Sequence, residues 1–275
     1  MIRRAGCGLL LAAAGLASAP AHDGEDRPSG ATTGTSGPTV LVFSRTTGFR
    51  HDSIPAGHAL LQALATQHGF VAVASEDPAQ FSAASLAGFD AVVFLNTTGT
   101  VLDAAQKQAF ESWIRAGGGF VGVHAAADTE YQWPFYGELL GGDAWFLSHP
   151  AIQDAELDVE AGDDRATRHL PARFGFRDEW YNFQANPRPA VTVLLRIDEG
   201  SYAPGGGAMG ADHPITWRRG VDAGRSWYTA LGHRIETYAD PRFRRLLLGG
   251  LVWASGDGLL STGFESDLPA DRGSR

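Results

Sequence analysis

Short apolar runs alternate with amphipathic stretches through the first half of the chain. Four runs are four or five residues long and almost wholly apolar, which is typical of strands buried on both faces of a sheet. They occupy residues 40–43, 71–74, 91–95 and 120–123. Between the first two runs, apolar residues recur at helical spacing from Ser53 until His68 and Gly69 close the pattern.

A second amphipathic stretch separates the third and fourth runs. It places four apolar residues on one helical face, namely Leu102, Phe110, Trp113 and Ile114. Thr100 with Asp103 predicts a capping box at its start, and Gly117 marks its end. Strand, helix and strand at this spacing indicate right-handed crossovers, and therefore an α/β fold with a parallel sheet between two helix layers. Ligands bind at the carboxyl ends of such strands, so the loops at 45–52, 96–99 and 124–129 should converge.

The second half of the chain is less regular and rich in β-type segments. Residues 191–197, 215–218 and 226–231 are predicted strands that either extend the sheet or form an antiparallel annex. Asp240 as N-cap with Pro241 at the first helical position predicts a last helix. The sequence contains no internal repeat and no GxGxxG fingerprint, and its Gly205-Gly206-Gly207 run follows no apolar strand, which argues against a phosphate-binding loop.

The amino-terminal segment has the pattern of a signal peptide. Arg3 and Arg4 precede an apolar stretch at 9–17 and the small-residue sequence Ala19-Pro20-Ala21. That stretch is far shorter than the roughly 20 residues of a membrane-spanning helix. We therefore expect cleavage before His22 and export to the periplasm or beyond, without stable membrane insertion; the choice between Sec and Tat routes stays open.

The remaining chain divides into a flexible leader, one domain and a flexible tail. Residues 22–38 and 257–275 are mostly polar or small, and residues 39–256 form the predicted domain. The single cysteine, Cys7, lies in the signal peptide, so the mature protein has no disulfide and no cysteine nucleophile. Loss of Arg3 and Arg4 changes the formal charge from −9 to −11. Such acidity repels phosphate backbones, so nucleic acid is not an expected partner.

Five of the nine histidines stand beside turn formers or strand ends. They are His51, His124, His149, His213 and His233. Rigid scaffolds present functional side chains at such positions, although each histidine could equally cap a loop with a hydrogen bond. His124 follows the fourth strand, at the turn where α/β hydrolases and amidotransferases hold a serine or cysteine nucleophile. It suits a general base, a proton shuttle or a metal ligand.

Asp178 and Glu179 lie between aromatic residues. Burial there could raise the pKa of one carboxyl, or either could supply an oxygen ligand to a divalent metal; pairing with Arg177 is the structural alternative. Nearby aromatic rings could stack on sugar rings, although most aromatic residues belong to cores. The candidates are Trp133, Trp145, Trp180, Tyr181, Trp217 and Tyr228.

Several motifs together resemble the ThuA-like, or trehalose-utilisation, family. They include Gly48-Phe49-Arg50-His51, the run from Gly117 through His124, and Asp178-Glu179-Trp180-Tyr181; further on come His213-Pro214-Ile215-Thr216-Trp217 and the stretch from Gly224 to His233. The resemblance extends from about residue 39 to residue 256. It implies a flavodoxin-like sheet related to class I glutamine amidotransferases, with histidine in place of their cysteine. It also implies a role in the use of trehalose-type or oxidised disaccharides.

The leading hypothesis is an enzyme that acts on a sugar or glycoside, and glutamine amidotransfer is excluded because the mature protein has no cysteine nucleophile. The predicted catalytic residues are His124, His51, Asp178 and Glu179. The predicted substrate-binding residues are Arg50, Trp180, Tyr181, Trp217, His213 and His233. A divalent metal is left open, with His124, His213, His233 and Glu179 as candidate ligands. The alternatives are a non-catalytic carbohydrate-binding envelope protein and a metal-dependent hydrolase that activates water.

Overall fold

The fold is built on a nine-stranded sheet with five α-helices, and a computed structural model describes residues 37–256. The strands are β1 (Thr39–Phe43), β2 (Val71–Ser75), β3 (Ala91–Leu95), β4 (Gly119–Val123), β5 (Phe146–Ser148), β6 (Gln153–Val159), β7 (Arg173–Asp178), β8 (Asn182–Phe183), β9 (Thr192–Asp198), β10 (Pro214–Val221) and β11 (Gly224–Thr229). The helices are α1 (Ile54–His68), α2 (Ala83–Leu86), α3 (Ala104–Arg115), α4 (Pro134–Leu139) and α5 (Pro241–Ala254). The predicted signal peptide, the leader up to residue 36 and the tail from residue 257 lie outside the described residues.

The sheet has the order β2-β1-β3-β4-β11-β10-β9-β6-β7. Its first five strands are parallel, in the order of flavodoxin-like folds, and the last four pairings are antiparallel. The predicted α/β class with a parallel sheet is confirmed. The predicted strands of the second half are confirmed as well, and they extend the same sheet. β5 and β8 form a separate two-stranded sheet.

Helices cover both faces of the parallel strands. On one face the ring of Phe94 packs against Phe110 of α3 and Tyr136 of α4. On the other face Gly57 of α1 lies against Leu95, and Gly250 of α5 lies against Trp227. Because successive residues of a strand point to opposite faces, the apolar runs of β1, β3 and β4 are buried on both sides. The run in β2 is not, because β2 is an edge strand with exposed and half-buried residues.

The helix ends follow from local hydrogen bonds. Asp240 caps α5 by accepting from the amide of Arg242, as predicted. The predicted capping box of Thr100 with Asp103 is wrong, since Asp103 is itself the N-cap of α3 and forms the box with Gln106. Val101 and Leu102 precede Asp103 in the chain. Their backbone amides both donate to the buried carboxylate of Glu130 at 2.8 Å.

The outer edge of the sheet is covered by arginine side chains. Along β7, the carbonyl of Gly175 accepts from Arg242 at 3.0 Å and that of Arg177 accepts from Arg234 at 3.5 Å. These guanidinium groups occupy acceptors that a further strand would use. Among the described residues, no helix is long and apolar enough to cross a membrane.

Candidate metal centre

Four side chains from distant parts of the sequence meet beyond the carboxyl ends of the parallel strands. The predicted convergence of loops is present, because the amide of Thr47 donates to the Thr98 carbonyl and that of Gly99 to the Asp128 carbonyl. β4 and β11 run parallel with Val123 opposite Thr229, so the residues that follow both strands are neighbours. His124 and His233 come from these two ends, and His51 comes from the loop after β1.

One potential ligand atom from each of His51, His124, Glu179 and His233 lies within 4.8 Å of the others. Oε2 of Glu179 is 3.0 Å from Nδ1 of His233 and 3.4 Å from Nε2 of His124, and the two nitrogens are 3.3 Å apart. Ligands about 2.0–2.2 Å from a divalent metal lie roughly 3–3.5 Å from one another. These three atoms therefore already have the spacing of a coordination shell.

The protonation of His124 fits this arrangement. Its Nδ1 lies 2.7 Å from the carbonyl of Ala230, which can only accept, so Nδ1 carries the proton. The other ring nitrogen, Nε2, faces Glu179 and His233 and is the atom available to a metal. In metal-binding histidines, the ring nitrogen that does not bind the metal commonly donates such a hydrogen bond, which fixes the tautomer.

His51 completes the group from the opposite side. Its ring packs edge-to-face against the rings of His124 and His233, with centroids 4.9 and 5.1 Å away. Its buried Nδ1 has no hydrogen-bond partner among the described residues. Burial, together with repulsion from His124 and His233, lowers the pKa of His51 to about 3. The imidazole is therefore neutral at pH 7, as metal binding requires.

Glu179 is ionised within this group. Burial works to raise its pKa, but hydrogen bonds with His124 and His233 outweigh burial and hold the pKa below its usual range. For His233 the balance is reversed, because burial lowers the pKa while the contact with Glu179 raises it above the usual value. The centre combines three imidazoles with one carboxylate, a donor set that suits Zn²⁺ and other first-row divalent ions.

The second oxygen of Glu179 faces a fourth histidine, His149. Oε1 lies 3.0 Å from Nδ1 of His149, whose side chain is 42% exposed. His149 is one of the five histidines noted beside turn formers or strand ends in the sequence, but no catalytic, binding or metal role is predicted for it. Its ring stacks near Phe146 and Tyr181, and Tyr181 in turn packs 4.1 Å from the ring of His124. His149 and Tyr181 thus form one wall of the centre.

Asp178, predicted as catalytic beside Glu179, is fully buried and bonded to protein groups. Its carboxylate accepts from the amides of Glu179, Gly232 and Arg234 at 2.9–3.2 Å and from the Thr237 hydroxyl at 2.9 Å. Burial raises its pKa, and these bonds offset part of that effect. Asp178 therefore ties the backbone of Glu179 to the segment that carries His233, and Arg177 pairs with Asp154 instead.

Gly232 is required at the turn before His233. Its φ is +125°, and a Cβ there would lie 2.9 Å from both the Tyr238 hydroxyl and Cγ1 of Val123. Its carbonyl accepts from Ser53, Asn96 and Tyr238. Sequence reasoning misses the supports from Ser53 and Asn96 because these residues lie 179 and 136 positions away in the chain.

The other predicted site residues lie outside the four-residue group. Arg50 is about half exposed and pairs with Glu76 at 2.7 Å. Trp180 and Trp217 are fully buried, and Nε1 of Trp180 donates to the Gln153 carbonyl. His213 is also fully buried, with Nε2 donating to the Tyr181 carbonyl and Nδ1 2.9 Å from Glu199. His213 thus supports the backbone near Glu179. Both of its ring nitrogens already have partners, so it is not one of the clustered ligands.

Solved structures share this architecture. A ThuA-like protein from Bacteroides uniformis ATCC 8492 matches with a TM-score of 0.69 and 25% identity over 82% of this chain and 94% of its own. A ThuA-like protein from Parabacteroides merdae ATCC 43184 matches with a TM-score of 0.64 and 17% identity, over 80% and 91%. A β-galactosidase from Bacillus circulans sp. alkalophilus shares the fold at a TM-score of 0.53 and 15% identity, over 80% of this chain and 31% of the enzyme. No curated protein sequence matches the chain.

Fold and site together define a flavodoxin-like α/β protein with a histidine and carboxylate centre at its sheet edge. The family model for ThuA, described as trehalose utilisation, matches residues 39–254. The chain belongs to this family, as the sequence motifs indicated, and the membership links it with trehalose utilisation.

Proposed function

We propose that the protein is a metal-dependent enzyme acting on a sugar or glycoside of the trehalose type. The observation that carries the proposal is the group of four ligand atoms within 4.8 Å of one another, formed by His51, His124, Glu179 and His233. The family membership supports the sugar class of the substrate. The donor spacing supports the metal.

These four residues would hold a divalent metal, and His124 is oriented for it by the Ala230 carbonyl. A bound metal supplies Lewis acidity, which polarises a substrate oxygen or makes water a stronger acid. Among the histidines of the centre, His149 and His233 have the most exposed side chains, so we expect a substrate to approach from their side. Asp178 keeps Glu179 and the His233 segment at a fixed separation.

The test combines metal content with sugar turnover. We expect one zinc or manganese ion per chain by elemental analysis, and trehalose or oxidised trehalose turnover that chelation abolishes and metal restores. His51→Ala and Glu179→Gln should each weaken metal binding at least about tenfold. His169→Ala is the matched control, because that imidazole bonds the Arg242 carbonyl away from the group.

Two results would contradict the proposal. One is a folded wild-type protein that takes up no stoichiometric metal at micromolar concentration. The other is sugar turnover that proceeds unchanged in chelator. Saturable sugar binding without turnover, in metal-loaded protein, would instead identify a carbohydrate-binding protein.

We also propose that the protein acts after export from the cytoplasm. The support is the amino-terminal pattern of Arg3 and Arg4, the apolar stretch and Ala19-Pro20-Ala21. Expression in a bacterial host followed by osmotic shock and amino-terminal sequencing should give a released protein that begins at His22. Retention of the intact chain in the cytoplasm would contradict this proposal.

A further inference from the structure

An exposed aromatic ring stands directly beside the candidate metal centre. Phe49 is 66% exposed, which makes it the most exposed large apolar side chain of residues 37–256. Single exposed apolar residues are common on protein surfaces, so exposure alone indicates nothing. The position of Phe49 is what matters, because its ring packs edge-to-face on His51 with centroids 4.9 Å apart.

The backbone that carries Phe49 is held in place. The Thr98 hydroxyl donates to the Phe49 carbonyl at 2.8 Å and accepts from the Gly48 amide at 3.2 Å. The Thr47 amide donates to the Thr98 carbonyl at 2.9 Å, and the Thr47 hydroxyl contacts the same carbonyl. A ring presented from a fixed backbone binds a ligand with little further loss of backbone entropy.

The charges next to Phe49 indicate an uncharged ligand. Arg50 is the adjacent cation, and its guanidinium is paired with Glu76 at 2.7 Å. Its charge is therefore already compensated, and nothing in this pairing favours a phosphorylated sugar. An exposed aromatic face beside a cation that is already paired suits the apolar C–H face of a neutral pyranose ring.

We propose that Phe49 forms a stacking subsite for the non-reacting ring of a neutral disaccharide, next to the metal centre. This inference rests on the proposed function and specifies where its substrate binds. The ring would determine affinity for two-ring substrates, while His51, His124, Glu179 and His233 would act on the other ring.

The experiment measures trehalose and glucose binding to the zinc-loaded full chain by calorimetry. Phe49→Ala should weaken trehalose binding about five- to tenfold, the loss expected for one aromatic stacking contact. Glucose binding should change by less than about twofold, because its single ring occupies the metal side. Phe49→Trp, which keeps an aromatic ring at this position, should bind trehalose about as well as the wild type. Val71→Ala removes an exposed apolar side chain at the far edge strand β2 and is the matched control.

Zinc titration of the same samples separates this inference from the proposed function. Normal zinc affinity in Phe49→Ala, with weakened trehalose binding, supports the subsite. Trehalose binding equal to that of the wild type overturns it while leaving the metal centre intact. A zinc-loaded wild type that does not bind trehalose, or binds trehalose 6-phosphate more tightly, also overturns it. Failure to bind zinc contradicts the proposed function instead.

Discussion

His124 combines backbone strain with a place in the four-residue group. Its φ is +48°, in the left-handed region that non-glycine residues avoid at a cost of about 1–2 kcal/mol. Two hydrogen bonds hold the residue there. Its carbonyl accepts from the Tyr228 hydroxyl at 2.8 Å, and its Nδ1 donates to the Ala230 carbonyl. Strained backbone of this kind persists where surrounding contacts hold it, and it is common at functional sites.

Comparing two substitutions at this position should reveal the strain. His124→Gly and His124→Ala both remove the imidazole, but glycine adopts positive φ without the penalty that alanine keeps. We expect urea unfolding to show the glycine variant more stable by about 1 kcal/mol, with metal binding lost in both. Equal stabilities would mean that the turn relaxes to another conformation.

The sequence identifies the chemical groups of the site better than their roles. His51, His124, His233 and Glu179 stand out by their places at strand ends, and the structure brings them together. Asp178 cannot be told from Glu179 by sequence, because its partners Gly232, Arg234 and Thr237 lie more than fifty residues further on. His213 has the same kind of neighbours as the clustered histidines, and only the tertiary fold pairs it with Glu199.

At the scale of elements, helix caps link local sequence to distant contacts. α5 begins where the sequence predicts, since Asp240 and Pro241 suffice for a start. The predicted start of α3 is wrong because Thr100 and Asp103 are both residue types that favour the N-cap position, and the observed cap is Asp103. Glu130 resolves the ambiguity by accepting from Val101 and Leu102, and it lies almost thirty residues away.

Asp240 should make α5 sensitive to acid. Burial alone raises its pKa, but bonds and charge from Arg242 outweigh burial and hold the pKa below its usual value. The ionised cap therefore stabilises the fold fully above about pH 4, the ordinary aspartate pKa. This stability is lost as the pH falls through the lower folded pKa.

We expect Asp240→Ala to cost about 1 kcal/mol at pH 7. The difference from the wild type should shrink as the pH is lowered below 4, measured by urea unfolding at several pH values. Asp240→Asn, which keeps the cap but not the charge, should cost less at pH 7. A deficit that grows on acidification would contradict the assigned ionisation.

At the scale of the whole molecule, the strands of the two halves of the sheet differ in how well the sequence predicts them. Strands β1 to β4 are apolar runs and are predicted almost to the residue. β6 and β7 are missed because charged residues separate their few apolar positions. β6 carries Asp154, Glu156 and Asp158, whose charges pair with arginines of β7 and β9. Such short polar strands are recognisable only once their partners are known.

The candidate metal centre draws its residues from these two halves, so a bound metal should stabilise the whole fold. His51 and His124 follow parallel strands, whereas Glu179 follows the antiparallel edge strand β7. Zinc at about 100 times its dissociation constant should add about 2.7 kcal/mol, raising the melting temperature by roughly 5–10 °C. Calorimetric scans should show this rise in the wild type and in His169→Ala, and lose most of it in Glu179→Gln. An equal rise in Glu179→Gln would place the stabilising ion elsewhere.

The arginines along β7 bear on how the molecule behaves in concentrated solution. An open strand edge invites a neighbouring molecule to add its own strand, which is a first step towards fibrils. Here Arg234 and Arg242 fill that edge with bulky cations anchored in the same molecule. We therefore expect the segment that carries His233 also to hinder strand addition at β7, since Arg234 is the next residue.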